Sequence, residues 1–190
     1  MATPNSTQEP FLSDVTELRR RAQQSIEDGA VTSTYGLPAE RTIGILQAAL
    51  ATEIVCVLRY TMHAVSAAGI NSAEVKAEFE EHAKDELEHM NMIADRINQL
   101  GGVPDMNPQG LMSRSHTEYG KGGDLITMIK ENLIAERIAI DSYTEIIRFL
   151  GDKDVTTRRM LEHILKDEED HANDMHDLLV AHEGHPMLKK

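Results

Sequence analysis

Glu81-His-Ala-Lys84-Asp85-Glu86-Leu87-Glu88-His89 is the stretch whose reading decides the fold. It returns 82 residues later as Lys166-Asp167-Glu168-Glu-Asp-His171, so Lys-Asp-Glu-x-acid-His occurs twice. A carboxylate and an imidazole three residues apart share one face of a helix. A single Glu-x-x-His is ordinarily a solvated helix surface. Two of them, joined by one Glu from each of two further helices, would make a dinuclear carboxylate site inside a bundle.

The chain supplies those further helices. Leu50-Ala-Thr-Glu53 through Tyr60 echoes Leu133-Ile-Ala-Glu136 through Tyr143, with Tyr seven residues after Glu in both. Glu53 precedes Glu86 by 33 residues and Glu136 precedes Glu168 by 32, as expected of a duplicated helical hairpin. Punctuation marks the ends. Pro38 suits a first helical turn, and the first long helix is expected to reach about Ala68. Gly69-Ile-Asn-Ser72 is a tight turn with Ser72 as cap, and the second runs from about Ala73 to Leu100 before Gly101-Gly102. Residues 103–122 form a long connection. Asp124 caps the third helix, which ends at Leu150-Gly151, and the fourth runs from Asp152–Asp154 to about His182. Two hairpins with one long connection predict an all-α fold, a four-helix bundle with a single crossover over residues 38–183. Ahead of it, residues 1–37 read as a disordered tail, a short helix from Ser13 or Asp14 to about Asp28, and a linker; residues 184–190 read as a tail.

Steps of seven keep a residue near one helix face. On the first helix Leu46, Glu53 and Tyr60 share a seam; on the second, Phe79, Glu86 and Ile93, beside His82 and His89. The third gives Ile129, Glu136, Tyr143 and Leu150; the fourth gives Leu161, Glu168 and Met175, beside Ile164 and His171. Each helix therefore places a Glu in the middle of an apolar seam. Burying four uncompensated carboxylates costs several kcal/mol each at the least. With no Lys or Arg in these seams to neutralise them, two divalent cations would balance the four negative charges.

Composition agrees. The 190 residues suit one domain, and 4% aromatics with no Trp favours helices over a β-sandwich. A net charge of −13 argues against nucleic acid or an anionic membrane as partner, and suits cations. Cys56, the single cysteine, permits no intrachain disulfide and no Cys-x-x-Cys site, and falls among core positions. The N-terminus has neither a basic nor an apolar leader region, and no run approaches the roughly 18 consecutive apolar residues of a membrane span, so a cytoplasmic location is expected.

The six residues Glu53, Glu86, His89, Glu136, Glu168 and His171 resemble the ferroxidase centre of the ferritin superfamily, in its bacterioferritin branch, over about residues 40–182. The resemblance implies catalytic metal binding by all six: Glu53 and Glu136 terminal, Glu86 and Glu168 bridging, His89 and His171 one to each metal. The implied cofactor is two iron ions per subunit, with Mn or Zn as surrogates, oxidised by O2 or H2O2. Haem is not expected, since Leu87 stands where bacterioferritins carry a methionine ligand. With 19 residues after His171, the chain is short for the fifth helix of 24-subunit cages, which favours a twelve-subunit homo-oligomer like the bacterioferritin-type mini-ferritins. The expected function is iron oxidation and storage; the alternative is a free-standing di-metal peroxidase or catalase.

Around the six stand further candidates. Tyr60 matches the tyrosine beside bacterioferritin centres, but its duplicate Tyr143 makes a core tyrosine with a satisfied hydroxyl an equally good reading of either. Asp85 and Asp167 each precede a bridging Glu and are placed to orient a ligand His of the opposite hairpin, or else are solvated charges. His82 reads as a core or surface histidine, or else as a group supporting the metal ligands or a transient stop for iron. Arg19-Arg20-Arg21 reads as solvated surface or a subunit contact, and His163, His176, His182 and His185 as a weakly metal-attracting end.

Overall fold

A computed structural model describes residues 14–69 and 72–183. The expected N-terminal tail, Ser13, the middle of the 69–72 turn, the C-terminal tail and His185 lie outside these. Helix α1 (Val15–Ala22) precedes four long helices, α2 (Ala39–Ser66), α3 (Ser72–Gln99), α5 (Leu125–Leu150) and α6 (Val155–Glu183), with the single turn α4 (Leu111–Arg114) inside the crossover. Among the described residues there is no strand. Helix α2 pairs with α3 and α5 with α6, and the two hairpins meet along α2–α5 and α3–α6.

The local chemistry of the ends explains the lengths. Asp124 caps α5 by accepting from the Thr127 amide at 2.8 Å. A Schellman turn closes α3, with Gly102 N bonded to Ile97 O at 2.9 Å and Gly101, at φ +86°, bonded to Asn98 O. Asp154 caps α6 through the Thr157 amide at 2.9 Å. It also accepts from Tyr35 Oη at 2.6 Å and from Arg96 Nη2 at 3.0 Å. One carboxylate thus ties the N-terminal linker, α3 and α6 together.

One expectation is corrected here. The N-terminal helix does not continue to Asp28: α1 stops at Ala22, Ser25 takes a left-handed φ of +49°, and a 3-10 turn covers Ile26–Asp28. Helix α2 is long and apolar enough to cross a bilayer, which no run of consecutive apolar residues had suggested. Its apolar faces are spent on the bundle, where Leu46, Leu50, Val55 and Tyr60 are fully buried, and it carries the buried charges Glu53 and Arg59. A core helix of this kind meets the same criterion as a span.

The core is divided. Leu46, Leu50, Ile93, Ile97, Tyr143, Leu150, Leu161 and Ile164 fill one end of the bundle. Tyr60, Val75, Phe79, Met128, Ile129 and Met175 fill the other. Between the two clusters lies a polar layer to which every long helix contributes.

Candidate metal centre

Glu53 on α2, Glu86 and His89 on α3, Glu136 on α5, and Glu168 and His171 on α6 meet in that layer, each at most 4% exposed. The meeting follows from the seams: with a heptad step, a Glu between two core residues points where they point. Ligand atoms of Glu53, Glu86, His89 and Glu168 lie within 4.8 Å of one another, and so do those of Glu86, Glu136, Glu168 and His171. Glu86 and Glu168 belong to both sets. His89 Nδ1 is 3.5 Å from Glu53, 3.7 Å from Glu86 and 3.2 Å from Glu168. His171 Nδ1 is 3.7 Å from Glu86 and 4.0 Å from Glu168.

The fit to metal is tested by hydrogen-bond accounting. Buried polar atoms are almost always paired, because each orphan costs about 1–3 kcal/mol or more. Among the described residues fifteen buried side-chain atoms lack a partner, and nine belong to these six residues. They are both oxygens of Glu53, Glu86 and Glu168, one of Glu136, and Nδ1 of His89 and His171. A cluster so short of hydrogen-bond donors is a donor set for cations. Oxygen-rich sites completed by imidazole suit Fe2+, Mn2+ or Zn2+.

The outer nitrogens are held. Asp167 of α6 lies 3.4 Å from Nε2 of His89 on α3, and Asp85 of α3 lies 3.3 Å from Nε2 of His171 on α6. Each pair crosses between hairpins and directs Nδ1 inward. The tyrosines part company. Tyr60 Oη donates to Glu136 Oε1 and lies 3.2 Å from His82 Nδ1, whereas the buried Tyr143 hydroxyl has no partner among the described residues.

Burial, then the neighbouring Glu86 charge, pushes Glu53 and Glu168 well above the carboxylate range, and Glu136 upward. Burial opposes charge on the imidazoles too. The carboxylates outweigh it, holding His89 far above its ordinary value and His171 at about 9. Glu86 is drawn the other way: against its burial, the neighbouring imidazoles of His171 and His89 hold it below the ordinary carboxylate range.

An open cavity of about 140 Å³ between α3 and α6 reaches His171 and His82 past the acids Glu78, Asp85, Asp170 and Asp174. His82, 2% exposed, stacks on His171 with ring centroids 4.0 Å apart. It is therefore a core residue that also faces the mouth of the centre.

No arginine is placed to neutralise the four carboxylates, as expected, although two arginines are buried nearby. Arg59 on α2 is fully buried and Arg96 is 8% exposed. Neither pairs with the six site residues. Arg59 donates to Asn132 Oδ1 at 2.9 Å, Thr117 Oγ1 at 3.2 Å and Glu118 O at 3.0 Å, and so pins the crossover to α2 and α5. Glu131 pins it again, accepting from the amides of Lys121 and Gly122 at 3.0 Å each.

Known proteins place this arrangement. The model of the ferritin-like domain matches residues 43–183. The chain belongs to the ferritin-like family. A bacterioferritin of Desulfovibrio desulfuricans is 26% identical over 133 residues, 69% of this chain and 70% of its own. A DNA protection during starvation protein of Pyrococcus furiosus is 28% identical over 149 residues, covering 77% and 80%. Among solved structures, the bacterioferritin-related dodecameric thioferritin of Bacteroides fragilis superposes with a TM-score of 0.75 at 36% identity, over 81% of this chain and 94% of its own. The ferritin-like bundle is thus shared along nearly the whole described length, and its buried His and Glu cluster fits the metal-binding character of the family.

Proposed function

We propose that this ferritin-like protein oxidises Fe2+ at a dinuclear centre formed by Glu53, Glu86, His89, Glu136, Glu168 and His171, and stores the Fe3+ in a hollow homo-dodecamer. The observation that carries the reading is the convergence of nine unpartnered donor atoms into two sets that share Glu86 and Glu168. Glu53 and His89 belong to one position, Glu136 and His171 to the other, and the shared pair spans both. As substrate, each Fe2+ gives up one electron to O2 or H2O2, and hard carboxylate oxygens favour the ferric state.

The residues around the site contribute by position and by protons. Asp85 and Asp167 keep the imidazole Nδ1 atoms turned inward, and Tyr60 fixes one oxygen of Glu136 through its O–H. The two apolar clusters exclude water above and below, so the carboxylates meet an arriving cation largely desolvated. Dodecameric assembly is supported by the Bacteroides fragilis neighbour, described as a dodecamer. The charge of −13 suits attraction of Fe2+ and weighs against non-specific coating of DNA, so the DNA protection named for one relative is not carried over to this chain.

The test is Fe3+ formation under O2 and then under H2O2 by stopped-flow absorbance, with light scattering and iron content of the purified assembly. Glu86→Ala or His171→Ala should abolish fast oxidation and leave assembly intact. Wild-type rates in both variants would overturn the site. A dimer that retains two metals per chain and no mineral would instead mark a di-metal oxidoreductase.

A further inference from the structure

We propose that Glu78, His82 and Asp174 form a third divalent-cation site, at the mouth between α3 and α6, where Fe2+ is held before it moves inward. None of the three is among the six residues of the dinuclear centre. One ligand atom from each lies within 4.8 Å of the other two. His82 Nε2 is 3.3 Å from Glu78 Oε1 and 3.6 Å from Asp174 Oδ2.

The tautomer of His82 decides what those distances mean. A phenol has one hydrogen, and that of Tyr60 goes to Glu136. The Tyr60 oxygen can then only accept from His82 Nδ1, 3.2 Å away, so the imidazole proton sits on Nδ1. Nε2 is left with a bare lone pair that faces two carboxylate oxygens. Three acceptors turned toward one another repel, and a cation among them converts the repulsion into three bonds. His82 is 2% exposed, and its ring is fixed by Tyr60 on one side and by the stack on His171 on the other. It does not turn away to relieve the contact. This is a buried imidazole aimed into an acidic mouth, rather than a chance cluster of surface acids.

The internal repeat sharpens the point. The 82-residue offset that maps Glu86 onto Glu168 maps Glu78 onto Met160, His82 onto Ile164 and Met92 onto Asp174. At the duplicate position the trio is Met160, Ile164 and Met92, all packed into an apolar cluster. The dinuclear centre is therefore sealed on one side and open on the other, and the three donors stand on the open side. Their chemistry suits a staging position. Two carboxylates and one imidazole leave coordination positions to water, and the Glu78 and Asp174 side chains, 31% and 46% exposed, can meet an ion in solvent.

The experiment is an equilibrium titration of the assembled protein with Co2+, a stand-in that O2 does not oxidise here, in excess Mg2+ to occupy surface carboxylates. Wild type should bind about three Co2+ per chain. The Glu78→Gln/Asp174→Asn double variant should bind one fewer, and these isosteric amides at half-exposed positions leave the core untouched. Glu86→Ala should lose the inner ions and keep the outer one. Crystals soaked in Co2+ should show an anomalous peak bounded by Glu78, His82 and Asp174. A wild-type count that the double variant does not lower, with no such peak, overturns the third site and leaves the dinuclear centre standing. A count of about one that the double variant abolishes upholds the third site and removes the dinuclear centre.

Discussion

Asp85 of one hairpin stands 3.3 Å from Nε2 of His171 on the other. Its counterpart Asp167 does the same for His89 at 3.4 Å. Removing the negative charge from such an outer partner typically costs 10–100-fold in metal affinity. Asp85→Asn and Asp167→Asn should each weaken Co2+ binding by about that factor while the assembly persists. Unchanged affinity in both would mean that packing alone orients the imidazoles.

Loading the centre should release protons. His171, at about 9, holds a proton at neutral pH in the metal-free protein, and burial raises Glu53 and Glu168 in the same direction, whereas a ligand must be deprotonated. Metal affinity should therefore climb as pH rises towards about 9 and fall on acidification. Addition of Co2+ to weakly buffered protein, read with an indicator dye, should acidify the solution. Glu86→Ala should reduce that release.

The two tyrosines should respond oppositely. Tyr60→Phe removes the buried donor to Glu136 and leaves that oxygen unpaired, a loss of roughly 1–3 kcal/mol per chain. Tyr143→Phe removes a buried hydroxyl without a partner and should be neutral or stabilising by about 1 kcal/mol. Denaturant unfolding of the metal-free variants separates them, and equal losses would contradict the asymmetry.

Asp154 links acid stability to the bundle's end. Burial works to raise its pKa, but bonds from Thr157 and Tyr35, with Arg96 beside it, hold it below the ordinary value. A depressed carboxylate stabilises above its unfolded pKa, near 3.9, and that contribution is lost as pH falls through the lower folded value. Asp154→Asn strands the buried Arg96 charge at a cost of about 3–5 kcal/mol at neutral pH. The variant should also show a flatter loss of stability below about pH 4 than wild type.

Much of this was readable from the chain because it was written in seams and duplicates. Four Glu in heptad register with Leu, Ile, Phe and Tyr can only point inward together, and Gly101-Gly102, Asp124 and Leu150-Gly151 punctuate the helices by known chemistry. What escaped depends on path or register between distant segments. Arg59 is satisfied by Asn132 and by Thr117 and Glu118 of the crossover, whose course no periodicity records. Asp174 faces His82 across 92 residues, through the relative register of α3 and α6. The break at Ser25 lacks the glycine that normally announces a left-handed residue.

The Arg59 anchor has a consequence for the proposed metal centre beside it. Its partners are an amide side chain, a hydroxyl, a backbone carbonyl and the Cys56 sulfur, none of them among the six clustered residues, and its guanidinium stays charged at any physiological pH. The crossover is therefore fastened by bonds that include none of the six clustered residues, while the charge of Arg59 still lies in the field of Glu136 and Glu86. Changing the charge at the centre should alter that field without breaking a bond of the anchor.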